Sequence, residues 1–270
     1  MADPAYGSLP FIQQIQFQLG KVAIPTQSWV DVWRDEHDAG FMVAGAYKAD
    51  LLAALQGAVS QAIVQGTSLD SFKRDFVNIA DKHGWSYNGS PTWRSRVIYE
   101  TNLMQSYNAG RWAQLTDPDL LSVRPYWRYH HKPGELHPRP MHLSWDNTVL
   151  PASDPWWHTH FPSNGWGCQC TVYSESERSL RRKGLSVGAA PPIEYETKIV
   201  GQQSGNPRTV VVPKGIDPGF DYAPGRSRAD QVRASLISDV SRLPEPIASD
   251  LKADLLKTPP APPPAPKASS

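Results

Sequence analysis

Two cysteines and the histidines that precede them form the part of this sequence with the clearest chemical potential. Cys168 and Cys170 are the only cysteines in the chain. A disulfide between residues two apart would be strained, so we expect reduced thiols or metal ligands in a reducing cytosol. Thiolate and imidazole donors together favour Zn²⁺ over Mg²⁺ or Ca²⁺. Because the Cys-x-Cys spacing is tighter than that of common zinc sites, burial of both thiols as small apolar core residues is the favoured alternative.

The other polar residues near these positions do not form a catalytic motif. The chain has no Gly-rich phosphate loop, no Gly-x-Ser-x-Gly elbow and no His-Glu-x-x-His pair. Asp146 and Asp154 are predicted to be turn and cap residues. Glu100 and Arg111 lie in one predicted helix, where we expect them to brace neighbouring loops by hydrogen bonds. We therefore predict that the protein is not an enzyme.

The charge of the chain is almost balanced, with 27 Lys and Arg against 26 Asp and Glu and a formal net charge of +1. Long-range attraction to DNA or to an anionic membrane is therefore not expected. The basic run at 178–183 could contact DNA phosphates, but a solvated helix face is the alternative. The chain shows neither a signal-peptide pattern nor the ~18–20 apolar residues of a membrane span, so we expect a soluble protein made in a cytosol.

Residues 1–116 are predicted to be a helical region. Apolar residues recur every three or four positions over 27–64, which favours one or two helices. A following helix should stop at His83-Gly84. Ser90-Pro91 is typical of a helix start, and Thr116-Asp117-Pro118 of a helix end.

Residues 117–183 are predicted to form a Trp-rich module of short strands and long loops. Five of the ten tryptophans lie between Trp127 and Trp166, and we expect them to form a core rather than a stacking platform for single-stranded nucleic acid. Strands are predicted near 124–130 and 168–173, and residues 145–150 are predicted to be a turn that enters a short strand. Alternation along the last strand would turn both sulfur atoms to one face.

The remainder of the chain is predicted to be less regular. A short helix should cover 176–183, and an extended segment with short strands and helices should follow over 184–256. The Pro/Ala-rich residues 257–270 have the composition of a polyproline tail. The predicted fold class is therefore α+β, with a helical N-terminal region, a small Trp-rich mixed module and an extended C-terminal segment.

An ordered set of short motifs runs through residues 93–173. In order, these are Tyr99-Glu100-Thr101-Asn102, Tyr107-x-x-Gly110-Arg111, Arg139-Pro140-x-His142, Trp145-Asp146 and Asn164-x-x-x-Cys168-x-Cys170. The set resembles the phage Mu F-like head morphogenesis family, which includes minor head proteins of tailed bacteriophages. The resemblance extends over about residues 28–222.

The resemblance implies a structural minor capsid protein of a tailed bacteriophage. Such a protein would be present in few copies in the virion and assembled in the host cytoplasm. It would act in procapsid assembly or genome packaging, near the portal vertex or the inner capsid surface. Its partners would be the major capsid protein, the portal protein or the scaffold, with packaged DNA a further possibility and no membrane. The alternatives are a metal-dependent nuclease or toxin-like enzyme packaged in the head, and a DNA-binding packaging aid.

The resemblance also selects residues within the module. Metal-free packing of the two cysteines is the favoured interpretation, and the alternative is a structural zinc ion that they share with His142, which is chosen because it matches the family motif. The fourth predicted ligand is His160, and His158 and His137 are held in reserve. Four protein ligands would make a closed site; without a metal, His142 would instead bond a loop carbonyl. The residues expected to support the module are Glu100, Arg111, Arg139, Trp145, Asp146, Asp154, Asn164 and Trp166.

Overall fold

The computed structural model describes residues 11–133, 138–228, 230–231 and 249. His137, most of 232–256 and the tail 257–270 lie outside these ranges. The α-helices are α1 (Ile12–Leu19), α2 (Ala49–Gln65), α3 (Leu69–Lys82), α4 (Pro91–Leu115), α5 (Pro118–Val123), α6 (Pro140–Ser144), α7 (Trp157–His160) and α8 (Glu177–Lys183). Short 3₁₀ helices span Arg34–Asp38 and Gln202–Ser204. The strands are β1 (Val22–Ala23), β2 (Gly40–Phe41), β3 (Tyr126–His130), β4 (Val149–Pro151), β5 (Thr171–Glu175), β6 (Tyr195–Val200) and β7 (Arg208–Pro213).

The mixed α+β class predicted from the sequence is confirmed, and so are the helix signals around α4. The Ser90 hydroxyl accepts a hydrogen bond from the backbone of the first turn, where Pro91 stands, and the helix is capped at Thr116. Helix α3 ends at His83, and Gly84 follows with a φ of 58°. The Ser90 and Thr116 hydroxyls satisfy backbone groups that the two ends of α4 leave without partners, whereas at the end of α3 the His83 backbone N–H does so.

The helix predicted over 27–64 is wrong for its first half. Residues 27–48 contain a 3₁₀ helix and strand β2, which pairs in parallel with β1 before them, and α2 begins only at Ala49. Trp29 and Trp33 have helical spacing, yet they lie in irregular chain with their ring centroids 5.9 Å apart. Their spacing therefore reflects burial of an irregular segment and not a helical face.

The helical region has its own apolar core, in which α2 and α3 pack against α4. The buried members of this core are Phe41, Val43, Ala46, Leu51, Leu52, Leu55, Val59, Ala62, Phe72, Phe76 and Ile98. Helix α1 packs along α4 from another direction. Helix α4 also contacts β5, so it joins the helical region to the sheet that follows.

Strand β3 is the centre of a three-stranded antiparallel sheet, with β4 and β5 on its two sides. Its side chains alternate, and Trp127 and Tyr129 face a large aromatic core. That core is formed by Trp112, Leu115, Leu121, Trp127, Tyr129, Trp145, Leu150, Trp156, Trp157, Phe161, Cys168, Cys170, Val172, Ile216, Phe220 and Ala223. Four of the five tryptophans between 127 and 166 are thus core residues, whereas Trp166 is 39% exposed.

The segment 184–223 returns to this core. Strands β6 and β7 pair as an antiparallel hairpin. After the hairpin the chain runs back over the module and places Ile216, Phe220 and Ala223 among the buried residues of the aromatic core. The core around the sheet is therefore completed by residues far from it in sequence.

Candidate functional site

Cys168, Cys170 and His142 form a thiol–imidazole cluster beside the sheet, with one ligand atom from each residue within 4.8 Å of the others. The His142 Nδ1 is 3.6 Å from the Cys168 Sγ and 3.7 Å from the Cys170 Sγ. The three residues are 2%, 5% and 1% exposed for His142, Cys168 and Cys170 respectively. Two soft sulfur donors and an imidazole nitrogen could hold a metal ion such as Zn²⁺. Since the cluster is closed to solvent, it does not offer an open face to a substrate.

The two cysteines occupy positions just before β5, which begins at Thr171 and not at the predicted residue 168. The predicted alternation still applies, because both thiols are buried while Gln169 between them is partly exposed. The Cys170 carbonyl accepts a hydrogen bond from the Asn108 side chain of α4 at 3.3 Å. A buried amide from the long helix therefore fixes the backbone that carries the thiols.

His142 is oriented by a carbonyl from the C-terminal segment. Its Nε2 lies 3.0 Å from the Gly215 carbonyl oxygen. A carbonyl oxygen only accepts, so Nε2 carries the proton and the lone pair of Nδ1 faces the two sulfur atoms. The imidazole also stacks on Trp145, with ring centroids 5.2 Å apart.

Gly215 makes this contact possible by its lack of a side chain. Its φ is 91°, a conformation that favours glycine, and a Cβ atom at this position would lie 2.6 Å from the Cβ of Met141. The C-terminal segment can therefore approach α6 closely enough to bond the histidine next to Met141.

His131 is the member of this site that sequence reasoning missed. Its Nδ1 lies 3.5 Å from the Cys170 Sγ. The last pair of the β3–β5 ladder is His130 with Thr171, so the next residue after β3 and the residue before β5 come together. The Asp146 carboxylate accepts a hydrogen bond from the His131 backbone at 2.8 Å and fixes this end of the strand. A correct strand pairing, had it been derived from the sequence, would have placed His131 opposite Cys170.

His160, predicted as a zinc ligand, is held away from the cluster. It is buried, but its ring stacks on Trp156 at 4.3 Å and its Nδ1 lies 2.8 Å from the Thr159 hydroxyl. Burial lowers its pKa to about 4; a hydrogen bond that the ring donates to the Trp156 backbone opposes this shift, and the nearby His142 adds to it. His158 of the same short helix is exposed. The structure therefore corrects the expected ligand set at this position.

The electrostatics of the cluster favour a thiolate. The pKa of the Cys168 thiol lies well below its ordinary value, mainly because of the hydrogen bond with Cys170. Burial of the thiol opposes this shift. The side-chain hydrogen bonds with Asp217 raise the pKa of Arg139, burial opposes them, and negative charge on the two cysteines adds to the rise. A fixed cation thus lies close to the sulfur atoms.

Residues 53–173, which include all the cluster residues, match the family described as Phage Mu protein F like protein. The chain is 31% identical over 188 residues to the Mu-like prophage FluMu F protein of Haemophilus influenzae. It is 30% identical over 201 residues to the putative capsid assembly protein F of Escherichia phage Mu. The chain therefore contains a phage Mu F-like region. No solved structure matches it.

The chain spans less than half the length of these two relatives. The alignments cover 65% and 68% of this chain, but only 44% and 45% of the Haemophilus influenzae and phage Mu proteins. Gly215 and Asp217 lie beyond the residues that match the family description. No helix in the described part of the chain combines the length and the apolar composition that crossing a membrane requires.

The Mu F-like motif residue Arg139 forms a bidentate ion pair with Asp217, both contacts being 2.8 Å. The same guanidinium donates to the Trp166 carbonyl at 2.9 Å, and the Asp217 carboxylate accepts from the Trp166 backbone at 2.9 Å. The exposed ring of Trp166 packs edge-on against Trp29 and Phe220. Arg139 therefore ties the start of α6 to the C-terminal segment and to the loop before the cysteines.

Asn164 and Arg111 support the module from inside. The Asn164 side chain accepts a hydrogen bond from the Tyr129 hydroxyl at 2.9 Å, and its backbone carbonyl accepts from Asp217. Arg111 on α4 donates to the Val172 carbonyl of β5 at 3.3 Å. Both residues thus bond parts of the chain that are distant in sequence.

The remaining supporting residues differ in how well they match expectation. Asp154 accepts a hydrogen bond from the Trp156 backbone at 2.9 Å, as a cap residue does. Asp146 is a turn residue with the additional contact to His131. Glu100 forms its ion pair with Arg96 of the same helix at 3.8 Å, so the bond to a loop predicted for it is not seen among the described residues.

Proposed function

We propose that this chain is a structural component that acts in assembly of the head of a tailed bacteriophage. The observation that carries the proposal is its 30% identity to a phage Mu protein named as a putative capsid assembly protein, across most of this chain. The match with the family over residues 53–173 supports the same conclusion.

The hydrogen bonds that the motif residues make within the chain support a structural role. Arg139 bonds Asp217 and a backbone carbonyl, Asn164 bonds Tyr129, and Asp154 bonds a backbone amide. The thiol–imidazole cluster is buried. A hydrolytic site would instead need an open coordination position and a general base beside it. The motif residues of this chain thus serve to hold a fixed module together.

The finer part of the proposal concerns place and partners. We expect the chain in the virion in few copies, assembled in the host cytoplasm, at the portal vertex or the inner capsid surface. Its partners would be the portal protein, the major capsid protein or the scaffold. The role would be procapsid assembly or genome packaging, with contact to packaged DNA as a possible accompaniment.

A genetic experiment tests the assembly role. The reading frame for this chain would be interrupted in a phage or prophage that encodes it, and the wild-type chain would be supplied from a plasmid. We expect the interrupted phage to give few complete heads by electron microscopy, and complementation to restore them. Mass spectrometry of purified heads should detect the chain and should cross-link it to a head protein. Normal heads and normal titre without the chain would overturn the proposal.

Two variants test whether complementation requires the folded module. Trp157→Ala removes a fully buried ring and should fail to complement, because the module would unfold. Glu177→Gln changes a half-exposed side chain of α8 and should complement as the wild type does. Equal complementation by both variants would show that head formation does not require the folded module.

The enzyme and DNA-binding alternatives call for a biochemical test. Purified full-length chain would be incubated with plasmid and single-stranded DNA in the presence of Mg²⁺, Mn²⁺ or Zn²⁺. We expect no cleavage, and no DNA binding near physiological salt. Cleavage that His142→Ala abolishes would support a nuclease, and binding that weakens steeply with salt would support a packaging aid.

A further inference from the structure

We propose that Cys168, Cys170, His142 and His131 bind a single Zn²⁺ ion in a closed tetrahedral site that stabilises the module. This inference does not depend on the role in head assembly. It differs from the sequence-based ligand set in one residue, since His131 takes the position expected for His160.

Three of the distances between the donor atoms fit a tetrahedron around zinc; His131 lies outside the group of donors that are all within 4.8 Å of one another, and its ring would move closer to complete the site. Bond lengths of about 2.3 Å for sulfur and about 2.0–2.1 Å for nitrogen imply sulfur–nitrogen edges of about 3.6 Å. The observed edges are 3.6 Å and 3.7 Å from His142 to the two sulfur atoms, and 3.5 Å from His131 to Cys170. Three edges of the coordination polyhedron thus already have the required length.

The lone pair of His142 is aimed at the centre of this polyhedron. Its Nε2 donates to the Gly215 carbonyl, which leaves Nδ1 without a proton on the side of the sulfur atoms. A ligating histidine usually donates its other ring nitrogen to a carbonyl or carboxylate in this way. Gly215 is the residue that brings the carbonyl close enough.

His131 lies at the end of the sheet, directly after β3. The β3–β5 register brings it beside Cys170, and the Asp146 carboxylate holds its backbone at 2.8 Å. Its ring presents Nδ1 to the sulfur, as His142 does. The four donors therefore come from three separate places: the end of β3, helix α6 and the segment before β5.

The charges of this set suit a buried site. Two thiolates balance the double charge of Zn²⁺, and two neutral imidazoles add none. Arg139, the nearby cation, is itself balanced by Asp217. A set of four protein donors without an open position is characteristic of structural zinc and not of catalytic zinc.

The test begins with elemental analysis of the full-length chain purified without chelator. We expect about one zinc atom per chain. Exchange for Co²⁺ should give the absorption of a tetrahedral ion bound by thiolates. Removal of zinc with a chelator should lower the thermal midpoint, and Zn²⁺ but not Mg²⁺ should restore it. Absence of zinc, with a thermal midpoint that neither chelator nor Zn²⁺ changes, would overturn the proposal and leave the thiols in metal-free packing.

Substitutions of the histidines test which of them is the fourth zinc ligand. His131→Ala and His142→Ala should lose the metal, and so should Cys168→Ser. His131→Cys should retain it, which separates loss of a ligand from loss of the fold. His160→Ala should bind zinc as the wild type does, as should His137→Ala. Full zinc content in His131→Ala, or loss of zinc in either of the two control variants, would refute the assignment of His131.

Discussion

Trp157 and Trp166 lie nine positions apart in the same Trp-rich segment, but they differ in burial. Trp157 is fully buried, whereas Trp166 is 39% exposed and packs on only one side. We expect Trp157→Ala to lower the free energy of unfolding by about 3–5 kcal/mol, because it leaves a large cavity. Trp166→Ala should lower it by at most about 2 kcal/mol. Urea denaturation followed by circular dichroism measures both values, and equal losses would contradict this difference.

His131 and His160 show how far single residues can be assigned from sequence. The residue types of the site could be predicted, because two thiols and a histidine in one motif limit the chemistry. The choice between histidines could not be predicted, because it depends on strand register. His160 is closer to the cysteines in sequence, yet its short helix turns it onto Trp156. His131 is distant in sequence, but antiparallel pairing brings it beside Cys170.

Glu175 connects three secondary-structure elements at the end of β5. Its buried carboxylate accepts hydrogen bonds from Arg128 of β3 at 2.9 Å, from Ser179 of α8 at 2.5 Å and from Lys183. Burial raises the pKa of Glu175, but the hydrogen bonds from Lys183, Ser179 and Arg128 together outweigh burial and hold the pKa below its ordinary value. The carboxylate therefore stabilises the folded chain more than the unfolded one.

The sign of this shift fixes the pH dependence. Because the pKa of Glu175 is lower in the folded chain than in the unfolded one, its carboxylate stabilises the fold at every pH above the ordinary carboxyl pKa. This stabilisation is lost as the pH falls through the pKa of the folded state. At pH 7 we expect Glu175→Gln to lower the free energy of unfolding by about 1.5–3 kcal/mol. The difference in free energy of unfolding between Glu175→Gln and the wild type should become smaller as the pH is lowered from about 5 to about 3. Urea titrations across that range measure it, and a difference that stays constant would contradict the argument.

Two helical glycines should respond in opposite ways to the same substitution. A Cβ on Gly110 of α4 would lie 2.7 Å from the backbone nitrogen of Gln14 and 2.8 Å from the Phe11 ring. We expect Gly110→Ala to cost about 1–3 kcal/mol, because α1 would have to move away. Gly57 of α2 is exposed with open space around it, so Gly57→Ala should stabilise by about 0.5–1 kcal/mol. Thermal denaturation of the two variants gives the signs, and stabilisation by both would mean that α1 does not press on α4.

The elements themselves were predictable where the signals are local. Ser90 and Pro91 determine the start of α4 through contacts within one turn, and His83-Gly84 likewise ends α3. Residues 27–48 were not predictable, because Trp29 and Trp33 are partly covered by distant partners, namely Trp166 and Arg208 respectively. Apolar spacing alone does not distinguish a helical face from an irregular segment covered in this way.

At the scale of the whole molecule, the C-terminal segment completes both the core and the site. Ile216 and Phe220 fill the aromatic core, Gly215 orients His142, and Asp217 binds Arg139. None of these contacts has a local sequence signal; the bonds to His142 and Arg139, for example, join residues 73 and 78 positions apart. The sequence motifs alone therefore describe an incomplete module.

Truncation tests this dependence on the C-terminal segment. A chain that ends at residue 231 keeps all the core residues described above, and we expect its urea unfolding to be cooperative with a midpoint close to that of the full chain. A chain that ends at 183 loses Ile216, Phe220 and Ala223. The free energy that burial of these three side chains contributes is comparable to the total free energy of unfolding of a typical domain. The chain that ends at 183 should therefore unfold without a cooperative transition or aggregate. A cooperative transition at the wild-type midpoint in the shorter chain would show that residues 93–183 fold without the segment that follows them.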